Sequence, residues 1–544
     1  MPDRIKGFLI GAAAGVLALT LSYFFRILAG GVFVPELVSQ TLFSFVPGEI
    51  EAQAVESLGS FAKYSAFAGA ILVNVALYGV LGAFLYRFNK RFPHKRYPVK
   101  AIQFSLSAYF VMFAVAAVLL TRTEVLTQPT SIQSLALYLL PPHIPFGFIL
   151  CSLYKREAVE SARILETAAS SALKVDHKRR LIISTAFAGA IASTILFYGL
   201  DLLFPKLTPE TSAKPASELA KPLTLPTGIF ADPMIASFIA SEVTPNDQFY
   251  RVDVNIIVPT VDATGWKLTV KGMVNNPLTL TYEELRYMPA VQQHNTLECI
   301  SNKIGSDLIS NALWKGVPLK DLFEKAQVKP EATYIIFRCI DGYDVGIPLE
   351  RGLLDGTILA YEMNGVPLPA EHGYPLRAVV PGLYGMMNAK WVNEIDVVSK
   401  VHEGFWQRRG WSNTAEYQAH STIVMPGDNA LRDRFRNLRS SKIEVGGKIP
   451  VAGIAFAGDR GISKVEVSTD GGKTWKMASI KDPLSEYTWA LWAAEWNPPA
   501  KGEYKITVRA TDKTGKVQTA ELRDPFPNGA TGYHVVDIEV TAPN

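Results

Sequence analysis

Cysteine is scarce in this chain, with only Cys151, Cys299 and Cys339 among 544 residues. A disulfide framework needs a dense, even set, so none is expected. No CxxC, no HExxH and no pair of cysteine clusters occurs, which argues against zinc and iron-sulfur centres. A CxxCH haem attachment site is also missing. Charge of one sign is equally short: 54 basic and 50 acidic residues leave a net charge of +4. So small an excess gives no electrostatic footing for nucleic acid, and no nucleic-acid partner is expected.

What the chain does have is apolar sequence. Hydrophobic residues make up 48% while charged residues still reach 19%, a mixture that implies a membrane part joined to a soluble part. The length is also too great for one ordinary core. Runs long enough to cross a bilayer lie near 7–30, 61–86, 101–120, 132–153 and 181–204. Pro141 and Pro142 interrupt the fourth, predicting a kink or a re-entrant turn there.

Basic loops are retained on the cytoplasmic side. Segment 87–100 holds Arg87, Lys90, Arg91, Lys95, Arg96 and Lys100, and segment 155–180 ends in Lys178, Arg179 and Arg180. Between the first two runs stand Glu36, Glu49, Glu51 and Glu56, with no Lys or Arg until Lys63. The N-terminus is therefore expected inside and everything after residue 205 outside. The first run is long and lacks a clear small-residue cleavage site, so a cleavable signal peptide is not expected. Lys178-Arg179-Arg180-Leu181-Ile182 fits two readings, first a basic stop before a helix and second an internal twin-arginine export signal.

Five prolines among Ser, Thr, Ala and Lys make 205–226 an extended linker. Beyond it, strand-like runs such as Trp266 to Val270 and Tyr334 to Arg338 alternate with helical stretches such as Leu319 to Ala326, an α+β pattern. From about 415 onward half-buried strands repeat. Val465 and Val467 precede the turn Asp470-Gly471-Gly472, and Tyr504, Ile506 and Val508 precede a turn ending at Gly515, which predicts a β-sandwich. The boundaries are 1–204 for a transmembrane anchor, 205–226 for the linker, 227–412 for the α+β domain and 413–544 for the sandwich. The fold class is multidomain, with an all-α transmembrane bundle of about five helices at its start.

Three segments carry chemistry. In Asn295-Thr296-Leu297-Glu298-Cys299-Ile300-Ser301-Asn302-Lys303 an apolar run stops at a cysteine followed by small and polar residues, which places the thiol at a strand end. A lone cysteine is most often a small buried hydrophobe, and Cys339 and Cys151 fit that description. Cys299 instead suits a nucleophile or a ligand to a soft metal. His372-Gly373-Tyr374-Pro375-Leu376-Arg377, followed by Val379-Val380-Pro381-Gly382 and Asn388-Ala389-Lys390-Trp391, supplies donors that can converge on an anion such as phosphate. Solvated surface charge explains that spacing as well. Phe405-Trp406-Gln407-Arg408-Arg409-Gly410-Trp411 sets paired arginines between aromatics, which also suits a packing seam between domains.

In order and content these segments resemble the sulfite oxidase family, from about 245 to 540. Ala360-Tyr361-Glu362-Met363-Asn364-Gly365 and Ser468-Thr469-Asp470-Gly471-Gly472-Lys473-Thr474-Trp475 belong to the same match. The resemblance implies a molybdenum-molybdopterin cofactor with Cys299 as thiolate ligand to the metal. It implies that His372, Arg377 and the backbone around Asn388, Ala389 and Lys390 hold the pterin and its phosphate. Asp341, Asn246 and the pair Tyr250-Arg251 are implied as further pterin contacts. The last domain is then an immunoglobulin-like sandwich that forms a homodimer.

Two positions depart from the family's pattern. Sulfite-oxidising members carry an arginine five residues after the metal cysteine, where this chain has Ile304, and a tyrosine two residues after the paired arginines, where it has Trp411. Anion sites need fixed cations, so a less charged sulfoxide or N-oxide is the expected substrate. Arg460, in Gly458-Asp459-Arg460-Gly461, resembles a retained substrate-site arginine and keeps an anion in play. Cys299, Trp411 and Arg460 are thus the candidate catalytic residues.

Single electrons need a partner. With His143 alone among the histidines in a predicted span and no b5-like module in view, the partner is expected to be a separate membrane haem protein, a quinone or a cytochrome. The expected setting is the cytoplasmic membrane of a prokaryote, with the catalytic domain outside. A membrane-bound binding or assembly factor that keeps the fold without turnover is the alternative, and molybdenum content separates the two.

Overall fold

A computed structural model describes residues 2–29, 32–50, 53–54, 60–92, 96–121, 132–168, 228–255, 258–427, 445 and 447–542. The fifth expected span, the twin-arginine segment and the linker at 205–226 lie outside them. Contacts divide the chain into two compact units, the first made of 1–46 and 58–212, the second of 47–57 and 213–544.

The first unit is helical: α1 (Asp3–Ala29), α2 (Val34–Ser44), α3 (Ser60–Arg91), α4 (Tyr97–Leu120) and α5 (Ile132–Ala168). By length and composition α1, α3, α4 and α5 can each cross a membrane. Gly7, Gly11 and Gly15 recur every fourth residue on α1, and a Cβ at any of them would strike Gly82, Ala83, Tyr78 or Tyr86 of α3. Small residues at that spacing let two apolar helices pack backbone to backbone. Of the two outcomes expected at Pro141 and Pro142 the re-entrant turn does not occur: α5 runs through both and through Pro145. In an apolar surrounding every backbone group left without a partner costs several kcal/mol, which favours keeping the helix. His143 uses both ring nitrogens inside the bundle: Nδ1 donates to the Leu139 carbonyl at 2.6 Å, and Nε2 accepts from the Tyr78 hydroxyl at 2.7 Å.

The second unit opens with α6 (Pro233–Ala240), then β1 (Lys267–Gly272), β2 (Leu278–Thr281) and α7 (Tyr282–Tyr287). There follow β3 (Val291–Glu298), β4 (Ile309–Pro318), α8 (Leu319–Ala326), β5 (Tyr334–Cys339), β6 (Asp344–Pro348), α9 (Leu349–Gly352), β7 (Ile358–Met363), β8 (Val366–Pro367), β9 (Arg377–Val379) and β10 (Val392–Val398). Helix α8 forms where Leu319, Leu322, Phe323 and Ala326 recur at helical spacing, and all four are buried. One sheet has the order β2-β1-β10-β5-β6, with β1 parallel to β10. The other has the order β3-β4-β7-β8, with β9 paired to β7.

The C-terminal part contributes β11 (His420–Met425), β12 (Ile449–Phe456), β13 (Ile462–Ser468), β14 (Lys476–Met477), β15 (Ser479–Ile480), β16 (Ala490–Trp496), β17 (Gly502–Asp512) and β18 (His534–Val540). They form two four-stranded sheets, β11-β12-β16-β15 and β14-β13-β17-β18. Ile423, Val451, Ala455 and Trp492 of the first share a core with Val465, Val467, Ile506 and Val508 of the second. The opposite face of the first sheet is buried too: Val424, Ala452, Ile454, Phe456, Leu491 and Ala493 belong to the large core that includes β1, β5 and β10. A sheet buried on both sides loses the alternation of a half-exposed one, and β11 is buried at every position.

Candidate functional site

The site begins at the end of β3. That strand buries its last four residues, Asn295 to Glu298, because β4 pairs along one side and the C-terminal part bonds to it as well. The Thr296 amide donates to the Tyr487 carbonyl at 3.0 Å. Cys299 follows directly, at the strand end expected for it. Its amide donates to the Leu308 carbonyl and its carbonyl accepts from the Asn302 amide, both at 2.9 Å, so 299–308 closes into a loop. The Cys299 Sγ lies 3.0 Å from the Ser301 Oγ, and burial holds the thiol above its ordinary pKa. Among the described residues no three His, Cys, Asp or Glu side chains are grouped to hold a metal. A metal at Cys299 would therefore take its remaining ligands from a cofactor.

Cys299 lines an open cavity whose walls also include Tyr250, Asp341, His372, Arg377, Lys390 and Trp411. The lining has two parts. The first surrounds Arg377, at the start of β9. Its Nη1 donates to the His372 carbonyl at 3.1 Å and its Nη2 to the Asn388 carbonyl at 3.2 Å, while the guanidinium lies 4.9 Å from the Trp314 ring centre. Gly373 has φ +114, and a Cβ there would crowd Arg377 and Lys390, so only glycine lets the two basic chains converge. Lys390 donates to the Glu371 carbonyl at 3.2 Å and reaches Asp253 at 3.3 Å. His372 faces the Asn246 carbonyl at 2.8 Å, which puts the proton on Nε2, and burial pushes its pKa down to about 4. It is therefore neutral at pH 7. Trp391 adopts a left-handed φ of 56, unusual for a bulky side chain, and its Nε1 is fixed on the Ala370 carbonyl at 2.9 Å.

Arg377 is 5% exposed, its Nε has no partner, and no carboxylate pairs with it among the described residues. Burying a cation without counter-charge costs several kcal/mol. Burial accordingly draws Arg377 down to about 10 and Lys390 down to about 8. An anionic phosphate would relieve both, and the guanidinium fork matches its oxygens. The residues present thus fit the phosphate of a molybdopterin.

The second part surrounds Cys299 and is aromatic. The Tyr343 hydroxyl donates to the Met386 carbonyl at 2.7 Å, the Tyr343 ring packs against Phe405 and Phe405 against Trp406, and the Trp411 amide donates to the Trp406 carbonyl at 3.2 Å. Trp411 is 6% exposed and its Nε1 has no partner. Nearby Asp341 accepts from the Asn255 side chain at 2.5 Å and the Tyr343 amide at 3.0 Å, and burial pushes its pKa up to about 6.

Of the residues expected from sequence, Cys299, Tyr250, Asp341, His372, Arg377, Asn388, Ala389, Lys390 and Trp411 all line the cavity. Asn246 acts behind it through His372. Arg251 is off the lining and pairs with Asp253 at 2.8 Å. Arg460 is also off it: Nε binds Asp512 at 2.9 Å and Nη2 the Tyr417 carbonyl at 2.9 Å, so a buried carboxylate neutralises its charge. In Phe405 to Trp411 the two arginines turn away, Arg408 to Asp344 at 3.0 Å and Arg409 onto Phe405, while Trp406 and Trp411 face the cavity. Asp253 and Tyr343 went unnoticed in sequence. An acid amid the valines of Tyr250-Arg251-Val252-Asp253-Val254 was the available signal for the first, and the turn glycine Gly342, with φ +85, for the second.

Residues 255–406 match the oxidoreductase molybdopterin binding domain and 412–539 the Mo-co oxidoreductase dimerisation domain. The sulfite oxidase of Gallus gallus is 30% identical over 313 residues, 51% of this chain and 68% of the relative. The uncharacterized oxidoreductase YuiH of Bacillus subtilis is 39% identical over 150 residues, 28% of this chain and 74% of the relative. The mitochondrial sulfite oxidase of Macaca fascicularis is 29% identical over 328 residues, and the chain spans 59% of that relative's length. In the solved structure of the sulfane dehydrogenase SoxCD from Paracoccus pantotrophus, 84% of that chain aligns with 55% of this one, at a TM-score of 0.46 and 25% identity. With a molybdopterin-binding domain, the dimerisation domain after it and matched relatives of this kind, the chain belongs to the sulfite oxidase family of molybdopterin oxidoreductases.

Proposed function

We propose that this protein is a membrane-anchored molybdenum-molybdopterin oxidoreductase that moves an oxygen atom on a small sulfur or nitrogen compound, favouring reduction of a sulfoxide or N-oxide over oxidation of sulfite. When bound, the group supplies two-electron oxygen-atom transfer. Cys299 is the thiolate ligand. Arg377, Lys390 and neutral His372 hold the pterin phosphate, with Tyr250, Asp341, Asn388 and Ala389 along the pterin. The Trp411 Nε1–H, buried and unpartnered, donates to the substrate oxygen.

The lining beside Cys299 carries the choice of substrate. Tyr343, Met386, Trp406 and Trp411 gather there, position 304 is isoleucine, and Arg460 is spent on Asp512. A dianion brought into such a pocket loses its hydration, while the cations that line the same cavity, Arg377 and Lys390, are engaged in this reading by the pterin phosphate. A neutral oxide needs one donor, which Trp411 offers.

The helices of the first unit serve as anchor in the cytoplasmic membrane of a prokaryote, with 181–204 as a fifth span and the catalytic domain outside. The two C-terminal sheets form an immunoglobulin-like sandwich through which two copies pair. His143 has both nitrogens engaged, in keeping with a separate redox partner, a membrane haem protein, a quinone or a cytochrome.

The test is a viologen-coupled screen of dimethyl sulfoxide and trimethylamine N-oxide on purified protein, with sulfite oxidation by ferricyanide measured beside it. Faster turnover of an oxide is expected. Sulfite as the better substrate by an order of magnitude would overturn the preference.

A further inference from the structure

We infer that the C-terminal domain, besides any part in pairing two chains, positions Cys299, and that His420 is its principal contact. The inference rests on the reading of Cys299 as metal ligand.

Three sets of contacts reach from the C-terminal domain to the strand and loop that present this cysteine. Along β3, Thr296 donates to the Tyr487 carbonyl at 3.0 Å, the Ser485 hydroxyl donates to the His294 carbonyl at 2.5 Å, and the Trp489 amide donates to the Thr296 hydroxyl at 3.0 Å. At the residue before the cysteine, the Glu298 amide donates to the Tyr417 hydroxyl at 3.2 Å. The Glu298 carboxylate meets the His420 Nε2 at 3.0 Å, with side-chain exposures of 4% and 3%. Beyond the cysteine, a Cβ at Gly305, whose φ is +84, would strike the His534 ring, and His534 Nδ1 accepts the Ile423 amide at 3.0 Å.

Glu298 joins these contacts to the loop. Its other carboxylate oxygen accepts from the Asn302 side chain at 2.9 Å, and the Asn302 side-chain Oδ1 accepts from the Leu308 amide at 2.9 Å. His420 therefore holds Glu298, Glu298 holds Asn302, and Asn302 closes the loop on either side of the thiol. His420 Nδ1 is buried without a partner. The ring is thus committed to this one bond, on a strand whose sheet is packed into the large core. Partners behind a metal ligand set its orientation and electronics, and losing one typically costs about 10–100-fold in affinity or activity.

The experiment uses full-length holoprotein and compares native, His420→Ala and His420→Gln. Each is read by molybdenum content, by the Mo(V) electron paramagnetic resonance signal and by hydrogen exchange of segment 299–308. In His420→Ala the signal should shift, exchange in the segment should quicken by at least about tenfold, and turnover should fall within the range given above, with KM little changed. His420→Gln, which can still donate to Glu298, should return the signal and the exchange toward native. Native signal and native exchange in His420→Ala would overturn the inference. If His420→Ala does not accumulate, Tyr417→Phe, which removes only the acceptor of the Glu298 amide, is read by the same two outcomes. Native protein without molybdenum would sink the assignment of Cys299, while the exchange data would still decide whether the C-terminal domain holds the loop.

Discussion

Arg377 and Cys299 line one cavity in surroundings of opposite kind. Around Arg377 two basic side chains are drawn together, Lys390 beside Asp253 and Arg377 with no carboxylate partner among the described residues, and burial lowers the pKa of each. Around Cys299 the walls are aromatic, and the nearby arginines are already paired, Arg408 with Asp344 and Arg460 with Asp512. Uncompensated charge is costly in a protein interior, so where it persists it makes a candidate place for an oppositely charged ligand. In the reading proposed above, the contrast has this protein direct its buried cations to the cofactor's phosphate and leave its substrate to a neutral donor.

The largest break in that contrast should come from Arg377→Met. Losing one charge-assisted, forked contact weakens the hold on the cofactor by about 2 kcal/mol, roughly thirtyfold, measurable as molybdopterin lost on dialysis. Arg377→Lys should recover only part of it, since a point charge does not reproduce the fork. Retention equal to native in the methionine variant would mean that the phosphate lies elsewhere. A smaller change sharpens the other side: Ile304→Arg adds a cation to the loop that follows Cys299, five residues along the chain, and should raise sulfite oxidation relative to oxide reduction by roughly tenfold. An unchanged ratio of the two rates would show that charge beside the metal does not set specificity.

The smallest expected effect is on stability. The Asp341 carboxyl titrates near 6 in the folded protein, above its ordinary 3.8. Its contribution is therefore fully present below about pH 3.8 and is lost as pH rises through 6. Asp341→Asn removes that loss, so its melting temperature should exceed the native value by about 2–5 °C at pH 8 and match it near pH 4. A constant difference at both pH values would contradict the assignment.

Some of this was legible in the sequence for physical reasons. Cys299 could be placed at a strand end because the apolar run stops there, and α8 could be bounded because its apolar residues repeat every three or four positions. Other features depend on partners far along the chain. Arg460 could be read from sequence as a substrate contact, but not its pairing with Asp512, which folding sets beside it from 52 residues later. The apolar residues of β11 fall on both faces, so alternation could not announce a sheet buried on each side. Pro141 and Pro142 signal a break by local rules, yet α5 continues through them.

The central claim concerns the sulfur of Cys299 and is tested most directly by X-ray absorption at the molybdenum edge on native and Cys299→Ala protein. The account predicts one fewer sulfur in the metal's nearest shell of the variant, with turnover abolished and the fold retained. Identical sulfur shells in the two proteins would contradict it.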